Sequence, residues 1–331
     1  MLNSMFAADA DGRVRDGKHA VVVDGATRDG VLGVGDTLHV LDGRNNVVST
    51  HTLTVADIYA ERFRESMRST AADLSDGGWR FSKKNVDLPN GELRRPETRQ
   101  YTDSYGVSGT EKVLQRNDFW EVVERGGNRF MLMRTVDDRG NPIRPSDAVN
   151  HVFTQRDEYR FDCATPMRLL NLKATIDTIG ADDFNARAGQ LQINSWFDQH
   201  DFSSFDGGFR YAGRTASAGE VTVDGVSNLD GEYALFDPSR GDVMTLGNTY
   251  YFEKPGDNTS AVQGWNAVFT GKKDENTYKF WTPSLGTINV HFSEGQWIPD
   301  RGFDRYYLAS AVGSPDVYRL GNWDSDRSGI A

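Results

Sequence analysis

Thiols are almost missing from this chain: its 331 residues include one cysteine, Cys163. A single thiol excludes an intrachain disulfide framework and any cysteine-rich zinc site, and it fits a sulfur that stays free. Long apolar runs are missing too. No segment approaches the length of a membrane span, and the first residues, Met1-Leu-Asn-Ser-Met-Phe-Ala-Ala-Asp-Ala-Asp, lack the basic region and apolar core of a signal peptide. The expected location is the cytoplasm, or outside the cell by a route that reads no cleavable signal. Positive charge is in deficit, with 37 Lys and Arg against 48 Asp and Glu and a formal net charge of -11. Such a surface repels phosphate backbones and anionic lipid, so neither nucleic acid nor membrane is an expected partner. Asp-rich stretches such as Asp9-Ala-Asp11-Gly12 lack a Glu at the distance a calcium loop requires, and turn chemistry suits them better. Gly30, Gly33 and Gly35 lack the spacing and the following helix of a phosphate-binding fingerprint. Internal repeats and low-complexity segments are absent as well.

What is present supports a large core: 37% hydrophobic and 11% aromatic residues suffice for one large domain or two modest ones. Over 1–50, short apolar runs at 20–23, 31–34 and 38–41 are punctuated by Asp-Gly pairs and read as strands in hairpins. A helix is expected over 55–74, with Thr54 as its cap and Tyr59, Phe63, Met67 and Leu74 as its apolar stripe. Residues 75–110 are polar, carry turn signals at Pro89-Asn-Gly and Arg94-Arg-Pro, and read as a long loop or insertion. Gly126-Gly127 divides two apolar runs within 114–133, a strand–turn–strand unit. Another surface loop covers 137–145. Turns and weak strands fill 200–240, with one strand at 220–223. Strands follow at 243–246, 250–252, 265–270, 278–281 and 287–292, and a last helix is expected over 306–312.

Cys163 itself lies between a strand-like run (Tyr159, Phe161) and a helical pattern in which Leu169, Leu172, Ile176 and Ile179 form one face. Pro166 is tolerated in a first turn and Gly180 suits a C-terminal stop. The cysteine is therefore expected at or just before a helix N-terminus, where free backbone N–H groups favour a thiolate and can hold an oxyanion. A buried, inert cysteine is the alternative.

The segment Tyr159-Arg-Phe-Asp-Cys-Ala-Thr165, with Ile176-Asp-Thr-Ile-Gly-Ala-Asp-Asp-Phe-Asn-Ala186 after it, resembles the bacterial spore-coat type of protein-glutamine gamma-glutamyltransferase. Phe119-Trp120 with Gly126-Gly127, Trp196, Leu246-Gly-Asn-Thr-Tyr-Tyr-Phe252 with Pro255, and Gln263-Gly-Trp-Asn266 extend the likeness from about residue 52 onward. The resemblance implies an α+β fold: a papain-like (NlpC-type) core with an antiparallel sheet and the nucleophile at a helix N-terminus. Residues 52–331 would form that catalytic domain, with insertions near 75–110 and 198–235, behind a strand-rich extension at 1–51. It further implies a cysteine that attacks a glutamine side-chain amide and passes the acyl group to lysine, or to water. Protein substrates with exposed Gln and Lys are the implied partners, and neither a cofactor nor a metal is implied.

By position Cys163 carries over as nucleophile, and Asp162 stands where the family has Glu. Two places depart from the pattern. The family's second carboxylate falls on Trp265, and its Ala-His-Gly stretch falls on Phe280-Trp281-Thr282, which has no histidine. A thiol acyltransferase needs a proton acceptor, and Trp is none. His291 is the leading replacement, ahead of His200, Glu253 and His151. Trp265, Asn266 and Trp120 are the expected substrate-binding residues, Trp265 as an aromatic wall or as core filling. Two other readings stand beside this one: a cysteine peptidase or cell-wall amidase on the same core, and an interaction protein that has lost its chemistry.

Overall fold

The computed structural model describes residues 19–23, 33–102, 108–163, 165–194, 221–223, 226–228, 244, 246–253, 264–293, 296–301 and 308–310, and everything below concerns these. They divide into two compact units, one of 1–73, 218–282 and 287–331, the other of 74–217 and 283–286. Among the described residues, no helix is long and apolar enough to cross a membrane.

The first unit opens with an antiparallel sheet of β1 (His19–Val23), β2 (Thr37–Leu41) and β3 (Val47–Thr52). Leu38 and Val40 alternate inward on β2, as a half-buried strand requires. The β2–β3 turn is built on Asp42, whose Oδ1 accepts the N–H groups of Arg44 and Asn46. This is turn chemistry, as expected of the Asp-Gly pairs. Val34, expected in a strand, lies instead in the turn before β2. Helix α1 (Val55–Asp73) follows, and its first turn is a reciprocal cap. The Asp57 N–H donates to Thr54 Oγ1 at 3.2 Å, while the Thr54 N–H donates to Asp57 Oδ2 at 2.8 Å. Phe63, Met67 and Ala71 are wholly buried along its inner stripe.

The second unit holds two sheets and three helices. Short strands β4 (Arg80–Phe81) and β5 (Val86–Asp87) come first. The long hairpin β6 (Glu92–Thr102) and β7 (Ser108–Arg116) then occupies much of the region read above as a long loop or insertion, and the loop reading is corrected. Its pattern hid the strand because charge pairing, not apolar alternation, holds it. Adding β8 (Trp120–Arg125) and β9 (Asn128–Met133) gives a sheet face crossed by an unbroken alternation of charge. Arg125 Nε meets Glu111 at 2.6 Å, and Glu111 meets Arg99 at 2.6 Å. Arg99 meets Glu121 at 2.8 Å, Glu121 meets Arg116 at 2.8 Å, and Arg116 meets Glu97 at 2.7 Å. The Arg125 guanidinium also lies 3.9 Å from the centre of the Tyr101 ring. Between β8 and β9, Gly126 and Gly127 take φ of 55° and 87°, the pair of left-handed residues a two-residue hairpin turn needs.

Helix α2 (Pro145–Thr154) begins where a loop was expected to end, with Pro145 in the first turn. Strand β10 (Arg160–Phe161) enters between β4 and β5, parallel to the former and antiparallel to the latter. Helix α3 (Thr165–Ile179) follows, then α4 (Ala181–Arg187) and β11 (Gln192–Asn194), which pairs with β9.

The chain then returns to the first unit. A small hairpin, β12 (Val221–Val223) and β13 (Val226–Asn228), precedes a six-stranded sheet. Its members are β14 (Thr249–Glu253), β15 (Gly264–Lys272), β16 (Thr277–Thr282), β17 (Gly286–Ser293), β18 (Gln296–Pro299) and β19 (Leu308–Ser310), in the order β18-β17-β16-β15-β14-β19. Phe252, Phe280 and Trp297 pack edge-on within its core, with Phe252 and Phe280 centroids 4.9 Å apart. Residues 308–310 pair with β14 as a strand, which overturns the last expected helix there. Gly247 sits before β14 with φ 79°, and a Cβ on it would stand 2.1 Å from the Arg64 carbonyl oxygen of α1. Leu246 is in that turn, not in the strand expected at 243–246.

Candidate active site

The strand ahead of Cys163 is locked by aromatic packing and by its neighbours' backbone. Phe161 is buried, lies edge-on to Trp79 at 5.6 Å and stacks on Tyr159 at 5.9 Å. Residues 82–85 turn from β4 into β5 and clasp the end of β10. The Ser82 N–H donates to the Phe161 carbonyl at 2.8 Å, and the Asp162 N–H donates to the Asn85 carbonyl at 2.7 Å. Asn85 makes this possible with φ 67°, a left-handed conformation that Asn tolerates better than most residues. Asp162 Oδ1 in turn accepts the N–H of Thr165 at 2.8 Å, satisfying one of the free donors at the start of α3. Cys163 thus stands two residues before the first helical residue, half-buried and with a free thiol.

Burial pushes this thiol from an ordinary 9.0 up to about 11, and the adjacent Asp162 carboxylate adds to the rise. The residue's own backbone N–H acts the other way and does not balance them. The expected thiolate is therefore corrected: lost hydration and a neighbouring negative charge raise the thiol, and the resting sulfur carries its proton at neutral pH.

A second polar cluster sits at the other end of β10. Asn117 Nδ2 donates to Tyr159 Oη at 2.9 Å, and that phenol lies 2.7 Å from His151 Nδ1. The His151 ring packs against Phe119 at 4.5 Å, and burial lowers its pKa against the pull of Glu158 and Asp118. Among the described residues, no polar contact joins this cluster to the Cys163 sulfur.

Of the residues expected at the site, Asp162 and Cys163 come together in the second unit. Trp120, also there, is wholly buried and donates its indole N–H to the Ala148 carbonyl at 2.9 Å. It fills the core and offers no surface to a substrate. Trp265 and Asn266 are neighbours on β15 in the first unit, opposite Phe252 and Tyr251. Trp265 is half-buried and Asn266 buried, with the Asn266 carbonyl accepting the Thr282 hydroxyl at 2.9 Å. Phe280, Trp281 and Thr282 are all core. His291 is exposed on β17, its Nδ1 3.4 Å from Thr277 Oγ1. Glu253 lies on β14, whereas His200, Trp196 and Pro255 lie outside the described residues. No group of three or more His, Cys, Asp or Glu gathers as a metal site among the described residues.

Sequence reasoning missed the clasp at 82–85 and the polar side of α3, where Thr165, Arg168, Asn171 and Thr175 are as buried as the leucines. Their three- and four-residue spacing was the available signal.

The fold and site define a mixed α+β protein of several antiparallel sheets, with a lone thiol set ahead of a helix by a capping carboxylate. The chain belongs to the protein-glutamine gamma-glutamyltransferase family, whose model matches residues 48–287. That match takes in Asp162, Cys163, Trp265 and Asn266 and stops short of His291. The chain is also similar to the transglutaminase from Geobacillus stearothermophilus without its C-terminal extension. The two are 16% identical over 81% of this chain and 96% of that one, with a TM-score of 0.44. No curated protein matches the sequence.

Proposed function

We propose that this protein is a cysteine acyltransferase acting on protein glutamine side chains, with a papain-like (NlpC-type) core and Cys163 as nucleophile. The observation that carries the reading is Asp162-Cys163 at a strand-to-helix junction, within the family match. A base takes the thiol proton, and the sulfur attacks the glutamine amide carbon. The carbon–nitrogen bond breaks, ammonia leaves with the returned proton, and a thioester remains. A neutral lysine amine then displaces the sulfur to give an isopeptide cross-link, while water in its place gives glutamate. Asp162 positions the nucleophile by capping α3. His291 is proposed as the proton acceptor on chemical grounds, as an exposed imidazole, and Trp265, half-buried, is proposed to meet the substrate, whereas Asn266 is buried like Trp120 and is not. The test is label uptake from a primary amine into a glutamine-containing protein, compared between wild type and Cys163→Ala. Uptake that survives the substitution overturns the reading.

Two features favour a second reading, an interaction protein without chemistry: the thiol is protonated at rest, and by the sequence resemblance the family's second carboxylate falls on Trp265. Alkylation of Cys163 by iodoacetamide across pH, with and without a glutamine substrate, separates the two. A catalytic thiol is protected from alkylation while glutamine substrate occupies it as the thioester, and a retired one is alkylated at the same rate with or without substrate.

A further inference from the structure

The clasp beside Cys163 carries an unusual surface for so acidic a chain. Residues 80–84 read Arg-Phe-Ser-Lys-Lys, three cations and no anion where the whole protein has a net charge of -11. Arg80, Lys83 and Lys84 are all exposed, and among the described residues none of them is ion-paired. Phe81 is 50% exposed, and among the described residues it is the one aromatic of five exposed large apolar side chains. Its strand partner, Phe161, is 1% exposed, and Phe81 lies beside it on the edge strand β4, at the open margin of the same sheet face. The same turn bonds to Phe161 and Asp162, so an aromatic face and two ammonium groups stand directly beside the nucleophile's strand.

We infer that 80–84 is the subsite for the acyl donor, and that it takes a glutamine-bearing polypeptide segment with acidic neighbours, seating an apolar side chain on Phe81. This rests on the acyltransferase reading of Cys163. Charge assigns the side. An acceptor lysine arrives as an ammonium ion, which Lys83 and Lys84 repel, whereas carboxylates flanking a glutamine are attracted. An exposed aromatic next to unpaired cations is also the composition of an anchoring point, an apolar body with charges around it.

Binding to Cys163→Ala, followed by fluorescence anisotropy, tests the subsite without turnover. Three labelled peptides share a Leu-Gln core and are flanked by Glu, by Ser or by Lys. The Glu peptide is expected to bind about fivefold tighter than the Ser peptide at low ionic strength, a preference that salt removes. Lys83→Glu with Lys84→Glu, in exposed positions where circular dichroism and the melting temperature serve as fold controls, reverses the order in favour of the Lys peptide. Phe81→Ser weakens all three peptides and leaves their order alone. Equal affinities, an order that survives charge reversal, or no saturable binding overturns the subsite. Failure of the acyltransferase reading shows separately, as wild-type enzyme that takes up no label through Cys163 while the binding order stands.

Discussion

Exchanging Asp162 for Asn removes one negative charge beside the sulfur and keeps an oxygen in place for the Thr165 N–H, now 2.8 Å from Oδ1. The thiol stands at about 11 against an ordinary 9.0, with burial the larger cause and Asp162 the smaller. Asp162 is therefore the smaller of the two upward pushes, and removing its charge raises the thiolate fraction at pH 8 severalfold. At that pH the wild-type thiolate is roughly one molecule in a thousand, so a severalfold gain is easily read. The assay is the rate of iodoacetamide alkylation from pH 7 to 11, with Asp162→Ala alongside. Asp162→Asn shifts the profile to lower pH at an unchanged melting temperature. Asp162→Ala shifts it similarly and also loses the cap, at a cost of about 1 kcal/mol. A profile that stays in place or moves up in Asp162→Asn refutes the electrostatic account.

A thiol whose folded pKa is raised stabilises the native state fully below its unfolded value and loses that contribution as pH climbs. Wild type should therefore lose stability between pH 9.0 and about 11, and denaturant melts of Cys163→Ala should show a shallower loss over that window. Glu111→Gln strips the carboxylate that Arg99 and Arg125 share, and urea denaturation should show a loss of about 2–3 kcal/mol. Gly247→Ala places a methyl 2.1 Å from a backbone oxygen at a positive φ, and we expect a loss of about 3 kcal/mol or more, seen as a lowered melting midpoint or as insolubility.

Several elements were legible because their signals are local. The Thr54 cap and the 3.6-residue stripe mark α1, Gly126-Gly127 marks a hairpin, and Pro166 and Gly180 bracket α3. Strand β6 was not legible, since its partner-facing residues are Glu97, Arg99 and Tyr101, whose complements lie on β7 and β8. Helix α2 hid behind Pro145, a residue that ends a loop and starts a helix equally well. Strand β19 is a three-residue element defined by its pairing with β14. At the site, Cys163 and Asp162 were read from their immediate sequence. The clasp was not, because Asn85 reaches Asp162 from seventy-seven positions earlier in the chain. The charge state of the sulfur was misread for a related reason, since desolvation depends on what the fold lays over an atom.

The ladder of alternating Arg and Glu on the β6–β8 face has a consequence for how the second unit comes apart. An outermost strand is the first to peel away under heat or denaturant, and elsewhere that event bares hydrocarbon which glues molecules together. Here the detached ribbon is mostly charged and neutral polar groups that water takes up readily, with Leu93, Pro96 and Tyr101 the few greasy exceptions. Fraying at this margin should stay reversible and leave the protein in solution.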